Sequence, residues 1–305
     1  MNVFDFIMLL FLIGLLGTGG YLYWTYFYSG EPISRSFDNR QILESISGQT
    51  QFYNNMRYPD KSISYSISDR CDEDRGKDAI EAFQILESKT ILSFYQDQNS
   101  PQISILCSNL VPEASEKNHF VAGEGGPSEV INLTNYAVIF SGKVSLFSGY
   151  EKTKCDKPNV ALHEILHALG FDHNSNQNSI MYPISSCDQE IDSYLVEEIN
   201  KLYSVPSATD LVLEKVDLSK KGRYINFKAS ISNLGFKNSE GAVLVISNEG
   251  KIIKEFELES IDIGVRKLLE VENVVIPLDS ESLTFSVETE ETEITKNNNK
   301  AEIVL

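Results

Sequence analysis

The chain has 305 residues, 26 of them basic and 44 acidic, which gives a formal net charge of −18 and a sequence pI ≈ 4.6. That balance argues against nucleic acid as a partner, because phosphate backbones are bound with positive charge. The acidity reads instead as a solvated surface that keeps the protein soluble, and the length suits two domains and an anchor.

Residues 6–28 form a run of 23 without a charged side chain, long enough to cross a bilayer as a helix. Its end carries Tyr21, Tyr23, Trp24, Tyr26, Phe27 and Tyr28, side chains suited to a membrane–water interface. A cleaved signal peptide is the main rival, and a buried core helix a third reading. The first basic residue is Arg35, so no positive n-region precedes the run. No clear A-x-A-like cleavage site is present either, although Gly17-Thr18-Gly19-Gly20 could be cut. Residues 1–28 are therefore expected to be an uncleaved anchor whose partner is the lipid bilayer.

Residues 29–52 are polar and read as a linker or lead-in. Ser62–Ile67 reads as a strand, and a helix follows with Ala79, Ile80, Phe83 and Leu86 on one face. Asp74 or Asp78 would start it. Ile91–Tyr95 and Gln102–Cys107 read as further strands. A loop-rich stretch comes next, with Val121-Ala122-Gly123-Glu124-Gly125-Gly126-Pro127 inside it. Asn132-Leu133-Thr134 fits a glycosylation acceptor, a match that is usually incidental, and Lys143–Phe147 is another strand.

The cysteines are Cys71, Cys107, Cys155 and Cys187, an even number that allows three pairings. Cys71–Cys107 with Cys155–Cys187 is the preferred one, and four reduced buried thiols are the alternative. No C-x-x-C spacing suggests a cysteine metal site. Paired cysteines place this region on the extracellular side. Arg35 and Arg40 after the apolar run point the other way, but Glu31 and Asp38 partly offset them, and large domains translocate with little regard to flanking charge.

Residues 163–173 read H-E-x-x-H-x-x-G-x-x-H. On a helix, His163 and His167 project from one side and can share one metal ion. Gly170 can take the left-handed conformation that ends a helix, bringing His173 in as a third ligand. Three protein ligands leave the fourth tetrahedral position of zinc open, as in a catalytic site. Glu164 stands beside the first ligand, in reach of a water as general base. Asn159 is a good N-cap for this helix, and Leu162, Ile165, Leu166 and Leu169 form the face a sheet would bury. Two incidental histidines on a buried helix are the dull alternative, and Gly170 with His173 in register argues against it.

Met181 follows eight residues after His173, within Ser179-Ile180-Met181-Tyr182-Pro183. Residues 190–203 read as a helix with Ile191, Leu195, Ile199 and Leu202 inward. Val205-Pro206-Ser207 looks like a boundary. Beyond it Ile225, Phe227, Ala229 and Ile231 alternate with polar residues. Further strands fall near 211–216, 242–247, 251–258, 267–276, 283–289 and 301–304. Seven short strands argue for a β-sandwich of immunoglobulin type over residues 206–305.

The histidine run and the methionine turn resemble the signatures of the metzincin endopeptidases, and the wording around Met181 is most similar to the matrixin branch, the matrix metalloproteinases. Tyr58-Pro59-Asp60 and the strand and helix after it are similar as well. The resemblance covers about residues 53–205 and implies an α+β catalytic domain, a twisted mixed sheet with helices. It implies that Met181 lies under the zinc site, and that Tyr182, Pro183, Ile184 and Ser185 line the pocket for the residue after the cut. It also places part of residues 121–131 where an extended peptide would pair by strand addition, although a plain glycine-rich turn fits those residues equally. Asn174 stands where matrixins usually carry serine or threonine. Matrixins hold a second, structural zinc largely with histidines; only His119 lies outside the run here, so one zinc is expected. Structural calcium is common in the family, and with no EF-hand-type loop present it stays unassigned. No cysteine-bearing latency peptide of the matrixin kind precedes the domain. Asp210-Leu211-Val212-Leu213 and Asn297-Asn298-Asn299-Lys300 resemble the ends of the CARDB adhesion-related sandwich module.

The expected function is a single-pass, plasma-membrane zinc endopeptidase acting on peptide or protein substrates, with Glu164 as base. The alternative is a surface adhesion or scaffold protein whose metal-binding domain is inactive, against which the intact Glu164 argues. A lysis or maturation factor acting on cell-wall peptides would differ only in substrate.

Overall fold

A computed structural model describes residues 34–36, 50–110, 121–147 and 155–305. The apolar run 6–28 and His119 lie outside the described residues. Among the described residues no helix is long and apolar enough to cross a membrane.

The first half of the chain is a seven-stranded sheet with helices against it. Its strands are β1 (Ser34–Ser36), β2 (Met56–Arg57), β3 (Ser62–Ile67), β4 (Ser93–Gln96), β5 (Ile103–Ser108), β6 (Gly123–Asn132) and β7 (Ala137–Phe147). The order is β1-β6-β7-β5-β3-β4, with β2 pairing the start of β7. Strands β3, β4, β5 and β7 run parallel; β6 is antiparallel to β7 and β1 to β6. The mixed sheet arises because helices and long connections link the parallel strands, whereas a short loop joins β6 to β7.

Helix α1 (Glu73–Lys89) starts earlier than either aspartate expected to start it, because the Asp72 carboxylate accepts from the Arg75 N–H at 2.9 Å. Ala79, Ala82, Phe83 and Leu86 are buried on its inner face, while Ile80 is only half-buried. Helix α2 (Asn159–Ala168) carries the first part of the histidine run, and α3 (Ser193–Ser204) follows it. Asn159 is the first helical residue of α2 and not its cap: Pro158 holds the cap position, and the Asn159 amide donates to Ser186 O at 2.7 Å instead. The glycine-rich stretch is no turn. From Gly123 onward it is strand β6, and β7 starts six residues before the expected Lys143.

The second half is a sandwich of two sheets, ordered β11-β10-β13-β14 and β12-β9-β8. The strands are β8 (Leu211–Lys221), β9 (Tyr224–Asn233), β10 (Ala242–Asn248), β11 (Lys251–Leu258), β12 (Arg266–Val275), β13 (Ser282–Glu288) and β14 (Lys300–Val304). Ile225, Phe227, Ala229 and Ile231 point into its core, where Phe227 meets Phe285 edge-on at 5.2 Å. The β10–β11 hairpin turns through Glu249 and Gly250, both at positive φ (50° and 78°), the conformation a two-residue hairpin demands.

Two disulfides staple the first domain, Cys71–Cys107 and Cys155–Cys187. The second closes a loop of 32 residues that contains α2, all three histidines of the run and Met181. Closing such a loop restricts the unfolded chain by about 3–4 kcal/mol. The Cys155→Ser/Cys187→Ser double variant is therefore expected to lose about 3 kcal/mol, roughly 6–12 °C in the first thermal transition. A calorimetric midpoint equal to the wild type would show that this loop is closed by packing alone.

Candidate functional site

Every residue of α2 is buried. Apolar Leu162, Ile165, Leu166 and Leu169 are 4% exposed or less and account for its place in the core. The helix ends in two turn-closing bonds, Phe171 N–H to Leu166 O at 3.1 Å and Gly170 N–H to His167 O at 2.9 Å. This is the Schellman pattern, and it needs a left-handed residue at the turn. Gly170 supplies it at φ 97°. The Met56 side chain occupies the space where a Cβ at Gly170 would lie, 2.6 Å away, so position 170 excludes larger residues on two counts.

The reversal brings His173 back to the helix. The Nε2 atoms of His163 and His167 are 2.9 Å apart, those of His163 and His173 3.2 Å, and those of His167 and His173 3.1 Å. Two of the rings are oriented by backbone carbonyls. His163 Nδ1 lies 2.6 Å from Ile180 O and His167 Nδ1 2.7 Å from Phe171 O. A carbonyl only accepts, so both Nδ1 atoms carry the proton and both Nε2 atoms present a lone pair. Burial lowers all three imidazole pKa values, to about 4 for His163 and well below the ordinary value for His167, where the other two rings add to the effect. Neutral rings with converging lone pairs are the donor set a zinc ion takes. Nitrogen ligands on a tetrahedral zinc stand about 3.3 Å apart, close to the separations found. Among the described residues this is the one group of three or more His, Cys, Asp or Glu side chains able to hold a metal.

Glu164 is 7% exposed, on the same helix. Burial raises its carboxyl pKa to about 8; the charge of Glu124 pushes the same way, and the Gly125 N–H opposes them. Gly123 and Gly125, two apart on β6, face it. A Cβ on Gly123 would lie 2.6 Å from Glu164 Cγ, and one on Gly125 only 2.1 Å from the Glu164 carbonyl oxygen. Two glycines on one face let the strand lie directly against the helix.

Met181 is 1% exposed. Its N–H donates to Ser179 Oγ at 3.1 Å and its carbonyl accepts from Asn174 N–H at 2.9 Å. The Asn174 amide also donates to Ser179 Oγ at 2.8 Å, and Ser179 Oγ donates to Asp192. The residue after His173 thus ties the third ligand to the methionine turn, a role that asparagine fills through its amide. Tyr182 is half-buried, whereas Pro183, Ile184 and Ser185 are exposed, Ile184 by 51%. Sequence reasoning missed Phe52, whose ring stacks on His167 at 5.7 Å, and Met56, and it named Tyr58 without its bond to Ala168 O. Residues 50–52 run beside 170–172, joined by Phe52 N–H to Gly170 O at 3.0 Å and Asp172 N–H to Thr50 O at 2.9 Å. Nothing in their composition marks them. The period-two glycines at 123 and 125 were a readable signal for a strand under close approach.

Residues 57–204 match the family model described as Matrixin. A comparison with curated proteins finds no match. Among solved structures, high choriolytic enzyme 1, a hatching enzyme zinc-protease from the medaka Oryzias latipes, is 15% identical. The match covers 54% of this chain and 99% of that one, with a TM-score of 0.33. The CARDB domain of a Pyrococcus furiosus protein, in complex with di-metal ions, is 16% identical over 31% of this chain and 84% of its own, with a TM-score of 0.27. A domain of a putative cell surface protein from Methanosarcina acetivorans is 17% identical over 32% and 90%, with a TM-score of 0.29. The chain carries a matrixin domain at residues 57–204 and is a zinc metalloendopeptidase of the metzincin type.

Adding a methyl group at Gly125 forces β6 off the helix. Gly125→Ala is expected to cost about 1–3 kcal/mol and to cut kcat at least tenfold by displacing Glu164. Gly76 in α1 meets nothing within 4 Å, so Gly76→Ala is expected to stabilise by roughly 0.5–1 kcal/mol. Urea denaturation of both variants with a peptide-cleavage assay tests the pair; equal stability for the two would refute the close approach.

Proposed function

We propose that the chain hydrolyses internal peptide bonds with Glu164 as general base, and that residues 6–28 hold it in the plasma membrane with the catalytic domain outside. One observation carries the catalytic part. Three neutral imidazoles converge within 3.2 Å, and a buried carboxyl stands on the same helix.

His163, His167 and His173 would hold the zinc, which when bound supplies Lewis acidity toward a carbonyl and toward water. Glu164 takes the proton of the attacking water and passes it to the leaving amine. A carboxyl whose environment lifts its pKa toward neutrality suits both halves of that transfer. A neighbouring cation would favour its ionised form, so the base is ready when the site is loaded. Met181 is buried and would lie under the site as the family resemblance implies, and its turn delivers Ile180 O to His163. Tyr182, Pro183, Ile184 and Ser185 follow at the surface and would border the pocket for the residue after the cut.

An extended peptide would bind along β6. Strand β7 covers one side of β6, and among the described residues β1 pairs the other side only at 129–131. Among the described residues, 123–128 have no strand partner on that side, and apart from the Gly125 N–H, which Glu164 holds, their outward backbone groups could be taken up by a substrate strand. The absence of a charge from residues 6–28 and the aromatic cluster at their end support the anchor. Two disulfides in the first domain support an oxidising compartment, hence the extracellular side.

Glu164→Gln is expected to retain one zinc per chain and to lose about 10²–10⁴-fold in kcat, while chelation abolishes cleavage altogether. Metal analysis and digestion of an unfolded protein by the same preparation measure both. Normal cleavage by Glu164→Gln would remove it from the mechanism. A zinc-loaded wild type that cleaves nothing in a peptide library would favour an adhesion protein with an inactive metal domain. Protease protection in sealed membrane vesicles tests the orientation.

A further inference from the structure

Strand β2 stands between the histidine helix and the sandwich. Successive residues of an extended chain face opposite sides, and residues 56–58 do so. Met56 lies against Gly170, and the Tyr58 hydroxyl donates to Ala168 O at 3.1 Å. Both touch the end of α2, beside His167. Arg57 faces the other way. Its guanidinium donates to the carbonyls of Tyr58 at 3.0 Å, Leu202 at 2.6 Å, Val205 at 2.8 Å and Pro59 at 3.1 Å. It lies 4.7 Å from the Tyr203 ring centre and 4.1 Å from that of Phe236. Tyr203 belongs to α3, but Phe236 comes from the loop after β9 of the sandwich. Phe236 is 1% exposed, packs with Val138 and Ile263, and meets Tyr136 edge-on at 4.8 Å.

We propose that the sandwich is a working part of the zinc site, with Phe236 and Arg57 as positioning residues that hold the end of α2 through β2. A guanidinium is a rigid fork of donors. It cannot shift toward a gap without breaking several carbonyl bonds together, and one of those bonds is to Tyr58 itself. Removing the Phe236 ring opens such a gap beside a buried cation and takes away its π-face. The displacement passes along the strand to Met56 and Tyr58, then to the turn that sets His167 and His173. The inference rests on the zinc reading and goes beyond it by giving the second domain a task.

The test uses the full-length chain loaded with zinc, measuring the rate of metal release to a coloured chelator, the visible spectrum of the cobalt-substituted form, and thermal unfolding. Phe236→Ala is expected to release zinc about tenfold faster, the scale of outer-shell effects on metal sites, and to alter the cobalt spectrum. Phe236→Tyr, which keeps the ring, is expected to restore both. Phe285→Ala, in the sandwich core away from Arg57, is expected to lower the unfolding midpoint while zinc release stays at the wild-type rate. Ile263→Ala is the milder substitute for Phe236→Ala should that variant not fold. Wild-type release from Phe236→Ala or its substitute overturns the proposal, and so does equal acceleration by Phe285→Ala. A wild-type chain that takes up no zinc fails the zinc reading itself and is thereby told apart from a failure of coupling alone.

Discussion

Three imidazole nitrogens brought within about 3 Å of one another need support from outside the helix, and no helix or strand produces that arrangement unaided. Here it depends on two backbone carbonyls. Phe171 O takes the Nδ1 proton of His167, and Ile180 O takes that of His163. Each bond fixes both the ring's orientation and its tautomer. The first carbonyl is placed by the Gly170 turn, the second by the methionine turn. The value of Met181 thus lies partly in its neighbour, since a buried, bulky side chain pins the loop that presents Ile180 O. The same loop is tied to the start of α2 by the Asn159 amide on Ser186 O and by the Cys155–Cys187 disulfide. Helix, turn and loop form one closed circuit around the metal position.

That circuit explains the pressure on β6. A helix buried on every side must be approached by its neighbours, and the face of α2 carrying Glu164 leaves no room for side chains on the adjoining strand. Gly123 and Gly125 admit the backbone alone. Proximity also has an electrostatic result. Glu164 is desolvated, so its charged form is costly, and the Gly125 N–H is a compensating donor. A strand free of side chains toward Glu164 therefore does two things. It closes the core, and it brings a hydrogen-bond donor to a buried carboxyl.

How far this was legible varies with the range of the interactions. The histidine run was readable because its spacing encodes a helix period and a reversal, both local. Seven strands of the sandwich were readable from a period of two and frequent turn residues, with ends within a few residues of those seen. The start of α1 was misjudged because three acidic residues, Asp72, Asp74 and Asp78, could each cap, and the bond to Arg75 N–H chooses among them. Asn159 was misjudged because its amide has a partner 27 residues away, which outweighs a local cap. The glycines of β6 were ambiguous, since glycine marks turns and close approaches alike and only the helix lying on them decides. Phe52, Met56, Tyr58 and Arg57 matter through partners more than 100 residues distant, and no pattern in one chain marks such contacts.

The junction between the halves is the place where composition misleads most. Val205-Pro206-Ser207 has the character of a hinge, and domains joined by such segments are expected to move. Its groups are taken up on both sides, however. Val205 O accepts from Arg57, Ala208 O from Phe236 N–H at 2.8 Å, and Asp210 O from Leu234 N–H at 2.8 Å. The loop that carries Phe236 is shaped by Asn233, which is fully buried. Its amide donates to Lys237 O at 2.8 Å and Ile261 O at 2.9 Å, and its oxygen accepts from Gly235 N–H at 3.0 Å. Gly235 is required because a Cβ there would lie 2.4 Å from Ala208 O. Asn233 Oδ1 also accepts from Asp210 N–H at 3.3 Å, so one buried amide joins the loop after β9 to the start of β8 and to Ile261, a costly arrangement unless the loop's shape matters. What that shape does is hold one aromatic ring against Arg57, which ties the sandwich to the wall of the histidine site.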